Sequence, residues 1–167
     1  MRIATKSSKL NISKLENTKK IANIFAKNIV KGDVVLFYGE VGVGKTTFIK
    51  SLVNSLEKTD KKNISEITSP TFSLMNQYKL NKFDIHHYDL YRLKSEKDIL
   101  SLNIFEDISD KIVLIEWPEI LGEHKPRNTI DINFEYGENF NSRYLTISAY
   151  EKLKIFEEIK KLAINFF

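Results

Sequence analysis

The chain has 167 residues, 42% of them apolar, which suits one compact domain with a real core, so disorder is not the default. It contains no cysteine, which excludes disulfides, thiolate metal sites and cysteine nucleophiles and fits a reducing, cytoplasmic setting. Its net charge of +4 balances 26 basic against 22 acidic side chains, so Lys58, Lys61 and Lys62 read as solvated surface rather than as a nucleic-acid footprint.

Residues 1–11 are basic but lack the apolar core of a signal peptide, and amphipathic structure begins too soon after them for a transit peptide. No apolar run approaches the roughly 20 residues that span a bilayer, so no membrane contact is expected. Residues 9–12 read as a short strand. Ser13 then opens a helix, with Glu16 completing a capping box. Leu15, Ile21, Ala22, Phe25 and Ile29 form its buried stripe, and Gly32 ends it. Residues 34–38 are continuously apolar, the mark of a strand inside a parallel sheet. A glycine loop follows, then a helix over residues 46–56 and a polar loop over 58–69. Residues 71–80 and 83–90 read as an antiparallel hairpin turning at Asn81-Lys82. Ser95 starts a short helix with Asp98 at its third position. Residues 111–115 form another buried strand, ending in Glu116-Trp117-Pro118. Residues 129–136 and 143–150 form a second hairpin around Gly137. An amphipathic helix closes the chain over 151–166, carrying Leu153, Ile155, Phe156, Ile159, Leu162 and Ala163. This order predicts a single α/β domain over residues 1–167. It is a P-loop NTPase-like sandwich whose mixed, mostly parallel central sheet is flanked by helices.

The glycine loop carries the chemistry. Gly39, Gly44, Lys45 and Thr46 satisfy the P-loop pattern of Gly, four residues, Gly, Lys and Ser or Thr. Glycine lets the backbone approach a ligand closely, so the N–H groups around Gly42, Val43 and Gly44 can converge on phosphate oxygens. The helix that follows adds its positive dipole end. Lys45 is placed to reach β- and γ-phosphates, and the Thr46 hydroxyl to ligate Mg²⁺. Thr47 is the candidate for the α-phosphate. The expected cofactors are therefore ATP and Mg²⁺.

Such a site also needs a carboxylate at the end of a neighbouring apolar strand. Glu116 ends the strand Lys111-Ile112-Val113-Leu114-Ile115, where Asp would be commoner, and Asp89 ends a competing one. In an extended strand His87, Asp89 and Tyr91 share one side, so Asp89 receives His87 as a neighbour. Asp89 can hold a metal-bound water, orient the attacking water, pair with Arg92 or cap a turn. Asn81-Lys82-Phe83-Asp84 matches the guanine motif of GTPases, but no Gly lies between Gly44 and Gly122 to supply their Asp-x-x-Gly. Those residues are read as turn formers.

Several segments together resemble a known family. They are the glycine loop, Ser69-Pro70-Thr71-Phe72-Ser73-Leu74, His87-Tyr88-Asp89-Leu90-Tyr91-Arg92-Leu93 and Ile115-Glu116-Trp117-Pro118-Glu119. In this order they resemble the TsaE family, the P-loop ATPase of bacterial tRNA threonylcarbamoyladenosine biosynthesis. The similarity runs from the first helix to about Glu119 and is loose beyond it. Val41 and Val43 stand where the family usually has Leu and Ala. The resemblance implies that Thr46 and Glu116 ligate Mg²⁺, that Thr71 lies in a switch-like segment near the γ-phosphate, and that Asp89 is important for activity. It also implies that Thr18 helps form an adenine pocket. The implied partners are TsaD and TsaB, which attach threonylcarbamoyl to the adenosine beside the anticodon in tRNAs reading codons that begin with A. The TsaE family supports that cycle by hydrolysing ATP and does not carry the acyl group, so contact with tRNA is indirect. The competing reading is a small-molecule P-loop kinase. Such enzymes usually need an arginine-rich lid, whereas the arginines here are scattered at 2, 92, 127 and 143.

Overall fold

Apolar runs alternating with amphipathic stretches become the layers of an α/β sandwich, described here for residues 4–163 of a computed structural model. The first elements are β1 (Thr5–Lys6), β2 (Leu10–Asn11), α1 (Leu15–Asn28), β3 (Val34–Tyr38) and α2 (Lys45–Thr59). A hairpin of β4 (Met75–Lys79) and β5 (Asp84–Asp89) leads to α3 (Glu96–Ser101) and β6 (Lys111–Glu116). A second hairpin, β7 (Thr129–Tyr136) and β8 (Arg143–Ala149), precedes α4 (Leu153–Ala163). The expected extension of this last helix to Phe166 lies outside the described residues.

The strands form one sheet in the order β1-β8-β7-β3-β6-β5-β4, with β2 also on β8. Its centre, β7-β3-β6-β5, is parallel, and antiparallel β4 and β8 flank it. This is the expected mixed sheet with a parallel centre. Strand β3, and β6 from Ile112 to Ile115, are apolar because both faces are covered. Val35 and Phe37 face α1, α2 and α4, whereas Val34 and Leu36 pack with Ile99, Ile104 and Leu121 on the other side. Phe48 of α2 makes edge contacts with Phe25 at 5.4 Å and with Phe134 at 6.0 Å between ring centroids. These contacts seat α2, and with it the glycine loop, against the end of β3.

Several boundaries differ from the sequence reading. Ser13 forms no capping box. Helix α1 begins at Leu15 without a side-chain cap, and the Ser13 hydroxyl accepts the Arg143 N–H at 3.0 Å. Ser13 is still held to β8, which leaves its hydroxyl unable to cap. Leu15, at the helix start, is 52% exposed rather than part of the buried stripe, and Leu153 at the start of α4 is exposed too. Helix α1 stops at Asn28. Gly32, at φ +93°, belongs to the following turn, where the Asp33 carboxylate accepts the Val30 N–H at 2.8 Å. Helix α2 runs to Thr59, three residues past the expected Leu56. Strand β4 begins only at Met75, because residues 70–74 turn on a Leu74 N–H to Pro70 C=O bond of 2.7 Å. The capping box expected at Ser95 and Asp98 is present. No helix among the described residues is long and apolar enough to cross a membrane.

Candidate functional site

Parallel strands place their C-terminal ends along one edge, and ligands of open α/β sheets bind in the crevice beyond that edge. Here β3 ends in the glycine loop, β5 in Asp89 and β6 in Glu116. Asp89 and Glu116 are register partners. They line a cleft of about 350 Å³ with Gly42, Gly44, Lys45, Thr46 and Thr47. Ser69, Thr71 and Trp117 line it too. The Asn81-Lys82 turn lies at the far end of β5, where the Leu80 N–H bonds to the Phe83 C=O. The guanine-like motif is therefore remote from the cleft.

Gly39 sits at φ +133°, and a Cβ there would lie 2.6 Å from the Phe134 carbonyl oxygen, so only glycine lets β3 and β7 approach this closely. Gly44, at φ +119°, caps α2 without a side chain. The first N–H groups of α2 are thus left without an intrahelical or side-chain acceptor and can serve an anion. Val43 is fully buried and anchors the loop, while the Tyr136 hydroxyl donates to the Val41 carbonyl at 3.0 Å and steadies its tip.

The Lys45 ammonium donates to the Glu40 carbonyl at 2.8 Å and also to the Gly39 carbonyl. It lies over the Trp117 ring, 3.9 Å from the centroid. Burial lowers its pKa from the ordinary lysine value, against the opposing pull of Glu116, Glu119, Asp89 and Glu40. Trp117 adopts φ +58° and packs against Tyr91 at 4.8 Å.

The geometry divides the two carboxylates that the sequence left in competition. Glu116 accepts the Thr46 hydroxyl, at 2.8 Å on Oε2 and 3.1 Å on Oε1. Asp89 accepts the Thr71 hydroxyl at 3.0 Å, the Ser69 hydroxyl, and the Tyr91 N–H at 3.0 Å. It caps a turn and ties down the Ser69–Thr71 segment. Arg92 does not pair with it and instead lies over the Phe72 ring. His87 shares a face with Asp89 but spends its Nε2 on Glu116 Oε1, at 2.8 Å. Sequence alternation located His87 on the right face. The partner was invisible because it sits on the neighbouring strand.

Among the described residues no group of three His, Cys, Asp or Glu side chains is arranged to hold a metal. The donors at hand are one hydroxyl and one carboxylate in contact, beside an anion-ready loop. That set fits Mg²⁺, which keeps waters and shares phosphate oxygens instead of using an all-protein cage.

Thr47 also borders a groove of about 840 Å³ between α1 and α2, next to Leu15, Glu16 and Lys19. Thr18 is buried in α1 and lines neither this groove nor the cleft. A separate hollow of about 780 Å³ surrounds Arg127, Thr129 and Ser148, away from the loop. Its Lys125 and Asp131 pair with each other.

The family model of the threonylcarbamoyl adenosine biosynthesis protein TsaE matches residues 12–145. The chain belongs to the TsaE family. It is thereby a member of the tRNA threonylcarbamoyladenosine biosynthesis machinery. A TsaE from Rickettsia conorii is 38% identical over 139 residues, covering 82% of this chain and 75% of that protein. A Nostoc TsaE is 33% identical over 86% of each chain. A Bacillus subtilis TsaE is 32% identical over 70% of each. The crystal structure of B. subtilis YdiB shares the fold, with a TM-score of 0.74 at 23% identity over 96% of this chain and 98% of that one.

Proposed function

We propose that this TsaE-family chain is a Mg²⁺-dependent P-loop ATPase that supports a TsaD–TsaB complex in threonylcarbamoyl modification of tRNA. The observation that carries the reading is the Thr46–Glu116 contact. A hydroxyl on the first turn of the P-loop helix meets a carboxylate at the end of a neighbouring parallel strand, directly beside Lys45. The loop formed by Gly42, Val43 and Gly44 would hold the phosphates of ATP. Lys45 leaves the Glu40 carbonyl to reach the β- and γ-phosphates, and Thr47 meets the α-phosphate. Thr46 and Glu116 hold Mg²⁺, which neutralises charge on the phosphates when bound. Asp89 keeps Thr71 at the γ-phosphate end and orients the attacking water. The base would sit toward the first turn of α1, the helix in which Thr18 is buried. The chain works in the cytoplasm, does not enter a membrane, and meets tRNA through its partners.

The kinase reading gains nothing from the fold. Among the described residues Arg92 lies over Phe72 and Arg143 over Tyr136, on separate elements, so no arginine lid converges on the cleft.

Trp117 provides a direct probe. Lys45 rests on its ring at 3.9 Å, and phosphate binding draws that ammonium away. Its fluorescence shifts on adding ATP with Mg²⁺ and responds much less to GTP. An unchanged spectrum, with binding shown by calorimetry, would remove Trp117 from the nucleotide's side.

The functional test is reconstitution with purified TsaD, TsaB, tRNA and the threonylcarbamoyl donor. The expected result is slow ATP turnover by the chain alone, complex formation only with ATP, and repeated rounds of modification only with intact Thr46 and Glu116. Equal multi-turnover modification with and without the chain would sink the proposal. Phosphoryl transfer from ATP to a metabolite would establish the kinase instead.

A further inference from the structure

His87 is the most deeply buried polar side chain among the described residues, with 0% exposure, yet it does not line the cleft. It projects from β5, next to β6, and its Nε2 lies 2.8 Å from Glu116 Oε1. The Tyr78 ring stacks on it at 6.4 Å between centroids, with 27° between the planes. Its other nitrogen, Nδ1, is buried without a partner.

That last detail argues against packing as the purpose of the residue. A leucine or phenylalanine would occupy the space without stranding a polar atom. What a histidine adds here is a single N–H aimed at one oxygen of Glu116. With no partner at Nδ1 and an acceptor at Nε2, Nε2 is the nitrogen that carries the N–H toward Glu116.

Glu116 has reason to need such a clamp. A glutamate has one more rotatable bond than an aspartate, and this one sits at the last position of its strand. Thr46 approaches Oε2 most closely, whereas His87 contacts only Oε1. Thr46 also reaches Oε1, at 3.1 Å, so the two donors meet at that oxygen and Oε2 is left to Thr46 alone.

We propose that His87 is a positioning residue: its Nε2–H fixes the Glu116 carboxylate so that Oε2 stays turned toward Thr46 and the cleft, ready for a divalent cation. The inference rests on the Mg²⁺ reading of Glu116 given above. Residues that orient a metal ligand in this way commonly change metal affinity by about 10- to 100-fold when removed.

The test is calorimetric titration of the purified full chain with ATP across a series of Mg²⁺ concentrations, with thermal melting as a check of folding. The variants are His87→Leu, His87→Gln and His87→Asn. The amide nitrogen of Gln falls near the Nε2 position, and that of Asn near Nδ1. We expect Leu and Asn to raise the Mg²⁺ concentration for half effect by about tenfold or more. Metal-free ATP affinity stays near wild type in all three. Gln stays within about threefold of wild type, because it restores the donor. If the Leu variant does not fold, the contrast between Gln and Asn decides. A folded Leu variant with wild-type Mg²⁺ dependence would overturn the proposal. So would a folded Gln variant as impaired as Asn, or failure of all three to fold. Absence of any Mg²⁺ effect on wild type would instead withdraw the metal reading of Glu116 itself.

Discussion

Replacing Lys45 with alanine is expected to weaken ATP binding by about tenfold or more. Charge-assisted hydrogen bonds are each worth roughly 1.5–3 kcal/mol, and about 1.4 kcal/mol is a factor of ten in affinity. Lys45 is 5% exposed and already desolvated, which lowers its pKa. The loss of hydration has therefore been met in the folded protein, and a phosphate gains an ammonium with little further dehydration. The ammonium donates to the Gly39 and Glu40 carbonyls, so it is held within the loop rather than extended into solvent. Arginine is a poor substitute. Its planar fork cannot follow the same path between those carbonyls and the Trp117 ring. Calorimetry with Mg²⁺–ATP checks the result, and thermal melting shows that the loop variant is folded. A folded Lys45→Ala protein with undiminished affinity would remove Lys45 from the phosphate site.

How far the sequence could be read depended on the range of each interaction. The loop, the strand before it and the helix after it are contiguous, so their pattern carries its own context. The same holds for the Ser95 and Asp98 capping box. Ser13 and Glu16 offer an equally good local pattern, yet the Ser13 hydroxyl is taken by the N–H of Arg143, 130 residues away. Long-range pairing overrode local chemistry there. The site shows the same division. Glu116 was legible as the acid ending an apolar strand. Its sharing between Thr46 and His87 was not, because that depends on how β5, β6 and the loop helix are registered. Asp89 was legible as a candidate with several roles. Its grip on Ser69 and Thr71 emerges only when the turn over residues 70–74 folds back onto β5. The exposed Leu15 and Leu153 make the complementary point. Apolar spacing marks a helical face, but the first residue of a helix often lies beyond the layer that covers it.

Removing Glu116 should separate hydrolysis from binding more sharply than any other change in the cleft. Loss of one preorganised electrostatic group at a reacting centre commonly costs about 10²–10³ in turnover. We expect Glu116→Ala to fall in that range while still binding ATP in the absence of Mg²⁺. Part of the effect is structural. The truncation strands the buried His87 Nε2, at roughly 1–3 kcal/mol, while the Thr46 hydroxyl still faces the cleft. Glu116→Gln is the cleaner variant, because its amide oxygen still accepts a hydrogen bond while the charge is gone. If charge toward Mg²⁺ is what matters, Gln loses turnover nearly as Ala does but melts close to wild type. Asp89→Ala should behave differently. It frees Ser69 and Thr71 and leaves the Thr46–Glu116 pair in place, so turnover falls while the Mg²⁺ dependence of ATP binding remains. Steady-state hydrolysis and Mg²⁺-dependent calorimetry on the three variants resolve the roles. Wild-type hydrolysis by Glu116→Ala, together with lost metal binding in Asp89→Ala, would exchange the two carboxylates. The geometry argues against that exchange, because the Thr46 hydroxyl is bonded to Glu116 and not to Asp89.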